Sequence, residues 1–373
     1  MLSLVGLGLG SAEDVTLRGK KVIEQADFVY LDAYTAILPA AASNTSSRDE
    51  ATRRKVNEDV GGQEHALETE QHQQATETTP EQEHVLDDIL ELQNGETSAQ
   101  QLFHLYPEKQ ILLADRELVE SGKEILDKVE QGKKVAFLVV GDALCATTHT
   151  DLILRCKEKK LRYEVVHNAS IMNAISSCGL QLYRFGETVS LPFWQNSWRP
   201  ESFYDKIIAN RRMNLHTLCL LDIQVKERSM LNMKRGIFNV FEPPRYMTVG
   251  QALEQLVEIA RNRKTCEKDD KSKSSPAGLE AKSVDTTPSS SGEISEQRAA
   301  REEHELFDSE QEFDLESEKN LIGVARIGAV DQVIKVGDAA KLMDFDFGPP
   351  LHALVIPAYE LHECELEFLE YFR

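Results

Sequence analysis

MLSLVGLGLGSAEDVTLRGKKVIEQADFVYLD, residues 1–32, is the stretch whose reading decides the fold. Residues 2–6 and 28–32 are short, almost uninterrupted apolar runs, the size of strands buried on both faces. Between them, Ser11 and Asp14 stand three residues apart as a capping box, and Val15, Gly19, Val22, Ile23 and Ala26 follow at helical spacing. This is a β-α-β opening. The strand-to-helix turn is Gly6-Leu-Gly-Leu-Gly10, and Asp32 ends the second strand where a ribose ligand would sit in a dinucleotide-binding unit. The third glycine comes one residue too early for that fingerprint, G-x-G-x-x-G. A glycine-rich turn also arises for backbone geometry alone.

Outward from this opening the alternation continues. Residues 111–114 read as a strand, 117–130 as a helix and 135–140 as the most apolar strand of the chain. A helix at 150–160, a strand at 163–167 and a helix at 170–178 follow. Such alternation predicts an α/β fold with a mostly parallel sheet. From about residue 180 the rhythm changes: Pro192, Trp194, Trp198 and Pro200 precede a helix at 201–212 and a strand at 216–223. Thr248 and Gln251 cap a helix with Val249, Ala252, Leu253, Leu256, Val257 and Ala260 on one face. Strands near 321–328, 331–336 and 353–358 and a helix near 363–372 complete the chain. The expected domains are 1–179 and 180–373.

The 373 residues carry a formal net charge of −21, unevenly spread. Residues 41–98 hold 14 acidic and 4 basic side chains, and residues 264–318 hold 16 and 7, which leaves about −2 for the rest. Both acidic segments have too few apolar side chains to offset the entropy of ordering, so they are expected to be disordered insertions, with one weak helix at 85–92. A near-neutral core gives no support for direct nucleic-acid binding. The six cysteines, at 145, 156, 178, 219, 266 and 364, contain no C-x-x-C pair and no zinc spacing, so no metal is expected. There is no signal peptide pattern and no apolar run of the ~20 residues that span a bilayer, so a cytoplasmic protein without membrane attachment is expected.

Five stretches at strand ends invite a chemical reading. The glycine turn is the first. Gly141-Asp-Ala-Leu-Cys-Ala-Thr-Thr-His149 follows the strongest strand, where open α/β sheets bind ligands. Asp142 there suits a ligand amine or hydroxyl and equally a helix N-cap. His167-Asn-Ala-Ser-Ile-Met-Asn-Ala174 ends another strand, with Ser170 placed to cap a helix. His216–Ile223 is a strand with Leu221 near its end, and Pro349-Pro-Leu-His352 precedes the last strand.

Their combination and order resemble the diphthine synthase family, a branch of the tetrapyrrole methylase-like methyltransferases. The resemblance runs through Leu4–Leu9 (LVGLGL), Leu31–Thr35 (LDAYT), Ala114–Arg116, Phe137–Asp142 with Ala146–His149, and His167–Ala174. It continues through Gly179–Ser190 (GLQLYRFGETVS), Trp198–Phe203 (WRPESF), His216–Ile223, Glu242–Met247 (EPPRYM) and Pro350–His352. Only the acidic insertions fall outside it. The resemblance implies two α/β domains of the tetrapyrrole methylase type with S-adenosylmethionine in the inter-domain cleft, S-adenosylhomocysteine as its product, and a homodimer. Cofactor contacts carried over by motif are Leu9, Asp142, Cys145, Ser170, Ile171, Leu221, Ile327 and His352. The implied protein substrate is translation elongation factor 2, methylated on a histidine that carries a 3-amino-3-carboxypropyl group. The rival readings are a same-fold enzyme acting on a tetrapyrrole or ribosomal RNA, and an inactive adaptor that binds the elongation factor. Asp142, His149 and His167 lie near the implied cofactor, and no catalytic role is assigned to any of them. The family loop runs Gly-Asp-Pro-Phe-Gly-Ala-Thr-Thr-His, so Cys145 stands in place of a glycine, where a side chain is expected to disfavour a positive φ.

Overall fold

The computed structural model describes residues 1–34, 98–195, 198–225, 233–236, 240–273 and 314–373, with the side chains of 98–99 and 266–273 excepted. The expected helix at 85–92, almost all of the first acidic segment and most of the second lie outside the described residues. The chain divides into two compact units. The first comprises Met1–Met172, Val225–Pro244 and Gly328–Asp331, and the second Asn173–Gln224, Arg245–Ile327 and Gln332–Arg373.

The first unit is built on five strands: β1 (Leu2–Gly6), β2 (Phe28–Asp32), β3 (Ile111–Ala114), β4 (Val135–Val139) and β5 (Tyr163–Val166). They pair in parallel in the order β3-β2-β4-β1-β5. Period-two alternation splits each strand between two cores. Ala136 and Leu138 of β4 pack with Val5, Ile23, Val29 and Leu102 on one face. Val135, Phe137 and Val139 pack with Tyr30, Ile125, Val129 and Leu152 on the other. Both faces are apolar, which is why these strands read as continuous hydrophobic runs.

The helices refine the expectations. The helix Leu17–Gln25 follows a 3-10 turn whose capping box is formed by Ser11 and Asp14. The single helix expected over 117–130 is two, Arg116–Ser121 and Lys123–Glu130, because Gly122 sits between them at φ +59°. The helix expected over 170–178 is Ile171–Ala174 followed by a 3-10 turn at Ile175–Cys178. It stops at Gly179, at φ +96°, where a Cβ would fall 2.4 Å from the Phe368 ring. A helix at Ser98–Leu105 escaped the sequence reading, since it abuts the acidic segment; its Leu102 is fully buried.

The second unit's sheet contains β6 (Val189–Leu191), β7 (Thr217–Leu221), β10 (Leu321–Ala325), β11 (Val333–Gly337) and β12 (His352–Ile356), in the order β11-β10-β12-β7-β6. A two-stranded ladder joins β8 (Ile223–Gln224) to β9 (Arg245–Tyr246). Among the described strands of this sheet only β6 and β7 pair in parallel, and the other three pairings are antiparallel. The parallel expectation therefore holds for the first sheet and not the second, where the link from β10 to β11 is too short for a helical crossover. The expected strand 216–223 breaks after Leu221, and Ala339–Asp344 adds a helix capped by Asp338.

One core holds this unit together, with Phe203 and Ile207 from helix Ser202–Arg212, Leu253, Leu256 and Ile259 from helix Val249–Lys273, and Leu354 and Ile356 from β12. The capping pair is reciprocal: Thr248 N–H donates to Gln251 Oε1 at 3.0 Å, and Gln251 N–H to Thr248 Oγ1 at 3.2 Å. The helix runs to Lys273, past the expected start of the second insertion at 264. At the far boundary, Leu315 is fully buried, and Asp314 pairs with Lys264 Nζ at 2.8 Å. Glu316 pairs with Arg261, and Glu318 with the buried Arg211 at 2.9 Å. Both edges of that insertion thus belong to the fold, because their charges find opposite partners. No described helix is long and apolar enough to cross a membrane.

Candidate functional site

In the first sheet β4, β1 and β5 lie side by side, so the loops at their carboxyl ends meet. The meeting is close. Gly8 and Gly141 form a bridge in which Gly141 N–H donates to Gly8 O at 2.7 Å and Gly8 N–H to Gly141 O at 3.2 Å. A Cβ on Gly6 would fall 2.6 Å from Gly141 O, and one on Gly10 would fall 2.3 Å from Gly328 O. Here glycine is required for main-chain approach as well as for the turn. Asp14 Oδ2 accepts from Gly10 N–H at 2.7 Å and Ser11 N–H at 3.2 Å, and Asn168 Nδ2 donates to Gly6 O and Asp14 O at 3.0 Å each.

The five expected residues of this unit share that edge. Leu9 is half-buried and makes no hydrogen bond to any described residue through its main chain. A Cβ on Gly141 would stand 3.8 Å from Leu9 Cδ2 and 3.7 Å from Ser170 Cβ, so these two side chains flank the same glycine. Ser170 is buried and Ile171, next to it, is half-buried.

Asp142 is only 4% exposed. Its Oδ1 accepts from Leu144 N–H at 2.9 Å, and its Oδ2 from Asn168 N–H at 3.0 Å and His167 Nδ1 at 2.8 Å. Burial pushes its pKa up, but the Leu144 and Asn168 amides and the His167 ring prevail and hold it below the ordinary carboxylate value. The carboxylate does not cap a helix, since the next one begins only at Thr150, and protein donors already reach both of its oxygens. It ties the loop after β4 to the loop after β5.

Cys145 is half-buried, and its N–H donates to Asp142 O at 3.2 Å. Positive φ in this loop falls on Gly141, at +78°, and on Ala146, at +58°, and not on Cys145. The expected conflict between the cysteine side chain and a glycine-like backbone therefore does not arise at residue 145; the turn is taken one residue later.

A second tie lies across β4. His149, 1% exposed, sets Nε2 3.1 Å from Asp32 Oδ2 at the end of β2, with its ring edge-on to Phe137. Asp32 Oδ1 accepts from Tyr34 N–H at 3.1 Å, and Tyr34 Oη is 3.3 Å from Thr148 Oγ1.

The second unit gathers the other three expected residues. Leu221 ends β7, and Ile327 follows β10. His352 opens β12, which lies between those two strands. His352 faces Ala325 across the ladder. Its Nε2 is 3.1 Å from both Gly348 O and Pro349 O, so Nε2 carries the proton and Nδ1 is left as an acceptor. That Nδ1 is buried without a partner among the described residues. Burial, opposed by the two carbonyls, pushes the imidazole's pKa down and keeps it neutral. Arg326 braces the loop: it sits at φ +48° and donates from Nη1 to Phe347 O at 2.8 Å and to Pro349 O.

His167, Asn168 and Arg326 are the residues that sequence reasoning left without a role. A polar pair directly after a strand was a visible signal for the first two. Nothing in the local sequence marked Arg326.

Comparison with known proteins accords with this arrangement. Residues 1–237 match the family model for tetrapyrrole (corrin/porphyrin) methylases. The diphthine methyl ester synthase of Kluyveromyces lactis is 38% identical over 99% of this chain and 89% of its own length. That of Mus musculus is 37% identical over 100% of this chain and 96% of its own. A crystal structure from Entamoeba histolytica superimposes with a TM-score of 0.61 at 32% identity, covering 100% of this chain and 98% of the other. A glycine-cradled loop cluster on a parallel sheet, a second mixed sheet and agreement along the whole chain lead to one assignment: the chain belongs to the tetrapyrrole methylase family, among the diphthine methyl ester synthases.

Proposed function

We propose that this chain is an S-adenosylmethionine-dependent methyltransferase that methylates the 3-amino-3-carboxypropyl-histidine of translation elongation factor 2 to diphthine or diphthine methyl ester. The observation that carries the reading is full-length identity, near 37%, to enzymes named for that product. The proposed cofactor contacts are Leu9, Asp142, Cys145, Ser170, Ile171, Leu221, Ile327 and His352. The same reading extends to a homodimer working in the cytoplasm.

The residues fit an adenosine-bearing ligand on two counts. His352 Nδ1 is a buried acceptor in need of a donor, which an amine or ribose hydroxyl supplies. The glycines at 6, 8, 10 and 141 keep the turn free of side chains, and the Leu9 main chain is left available for hydrogen bonding. Bound S-adenosylmethionine supplies a methyl group made electrophilic by its sulfonium. Asp142, kept ionised, fixes two of the loops in register and so fixes the direction from which an acceptor approaches.

The test is mass spectrometry of elongation factor 2 that carries the unmethylated acceptor, incubated with this protein and S-adenosylmethionine. A gain in whole methyl increments on the modified histidine is expected. No gain, with S-adenosylhomocysteine still bound in calorimetry, would leave a binding adaptor or a methyltransferase of another substrate.

A further inference from the structure

The second unit has one parallel pair among its described strands, β6 with β7, and ligands gather at the carboxyl ends of parallel strands. The segments leaving those ends are Pro192–Trp194 and Asp222–Gln224, and a closed circuit of side chains links them. Asp222 Oδ2 accepts from Phe193 N–H at 2.9 Å and from Gln224 Nε2 at 3.2 Å. Gln224 Oε1 accepts from Arg245 Nη2, and Gln224 faces Arg245 across the β8–β9 ladder. The Arg245 guanidinium then lies over the Phe193 ring, 4.9 Å from its centroid, and closes the circuit.

Arg245 is exposed, yet it is held by a ring and an amide, and among the described residues it has no carboxylate partner. Its neighbour shows the alternative. Arg199 stacks on Trp194 at the same 4.9 Å, but its Nη1 is already 2.7 Å from Glu258 Oε1. Arg245 thus presents a planar set of donors, oriented in advance and without a counter-charge among the described residues, on the β8–β9 ladder that opens just after Leu221. Such a group fits a carboxylate bidentately.

We propose that Arg245 is the residue that selects the methyl acceptor, by binding its free carboxylate. The assignment rests on the acceptor named under Proposed function, whose amine and carboxylate sit on one carbon. Gripping the carboxylate sets the amine at a fixed place for N-methylation, and the grip is released before any methyl passes to the carboxylate; an unmodified histidine, which has no such group, is rejected. Lysine would supply the charge without the planar fork.

The experiment compares the full-length protein with Arg245→Met and Arg245→Lys, using elongation factor 2 that carries the unmethylated acceptor. Arg245→Met should raise the acceptor KM roughly 10- to 100-fold, the range for one hydrogen-bonded charge pair, with kcat within about threefold. S-adenosylhomocysteine affinity and the thermal midpoint should hold, and Arg245→Lys should recover part of the loss. An unchanged acceptor KM in Arg245→Met, or a KM change that tracks a lower midpoint and weaker cofactor binding, overturns the assignment while wild-type transfer stands. Failure of the wild-type protein to methylate this acceptor overturns the functional reading and the assignment with it.

Discussion

A carboxylate–imidazole pair taken from each unit shows nearly the same geometry in different surroundings. Asp142 Oδ2 lies 2.8 Å from His167 Nδ1, and Glu365 Oε1 lies 3.1 Å from His216 Nε2. His167 keeps 68% of its side chain exposed, whereas His216 is sealed and Glu365 is 1% exposed. Glu365 also accepts from Gln181 N–H at 2.9 Å, His362 N–H at 2.8 Å and Arg184 Nη1 at 3.0 Å. Ala358 N–H donates to His216 Nδ1, so His216 is neutral and donates from Nε2 to Glu365. The second pair is a clamp that fastens the carboxyl-terminal helix, Glu363–Glu370, to the sheet. The first is a brace between two loops with one side left open. Burial, and not the pairing itself, separates the two.

Breaking the clamp should have the largest effect. Glu365→Ala leaves Arg184, two main-chain N–H groups and His216 without their acceptor, at a cost of about 3–5 kcal/mol in denaturant unfolding. Asp142→Ala should cost less, about 1–3 kcal/mol, because fewer donors lose a partner. It should also weaken S-adenosylhomocysteine binding roughly tenfold in calorimetry, equivalent to about 1.4 kcal/mol, through loosened loops. Equal cofactor affinity in the two variants would erase the distinction between brace and clamp.

The pairs should also differ in the pH at which they fail. Burial, only partly opposed by Glu365, pushes the His216 pKa below its usual 6.5. The unfolded chain then binds the extra proton first, so stability falls as pH drops below about 6.5. His352, lowered chiefly by burial, acts in the same direction. For Glu365, burial is outweighed by the Gln181 and His362 amides, so its pKa lies below the usual 4.5 and its contribution is lost only under more acidic conditions. Asp142, held below 3.8, behaves likewise. Stability measured against pH should therefore decline first below 6.5 and more steeply below about 4.5. His216→Gln, which keeps both hydrogen bonds without titrating, should flatten the first decline.

The smallest effect sharpens the site side. Ala146 occupies the left-handed region, so Ala146→Gly should stabilise the protein by about 0.5–1 kcal/mol. Cys145→Gly relieves no such strain and should lose about 0.5 kcal/mol through added chain entropy. Thermal unfolding of both variants decides which residue carries the turn.

The first unit was the more legible in the sequence. Its strands are apolar on both faces, so β1, β2, β4 and β5 stand out within a residue or two. The glycine turn and the Asp142 loop were visible because parallel sheets place ligand loops at strand ends. The second unit was less so: antiparallel pairing, the break after Leu221 and the helix reaching Lys273 depend on distant partners. Lys264 needs Asp314, fifty residues on, to turn an apparent acidic tract into a helix end.

By itself the sequence determined the alternating elements, the near-neutral core, the loops able to approach a ligand and the family. Local spacing and apolar periodicity suffice for these, since each reports on the chain's nearest neighbours. Only the tertiary structure decided what those residues do. It paired Asp142 with His167 and moved the turn's positive φ from Cys145 to Ala146. Among the described residues it also buried His352 Nδ1 without a donor and left Arg245 without a counter-charge. Each of these follows from desolvation or long-range hydrogen bonding, which depend on which groups fold against one another and are not encoded in any short stretch.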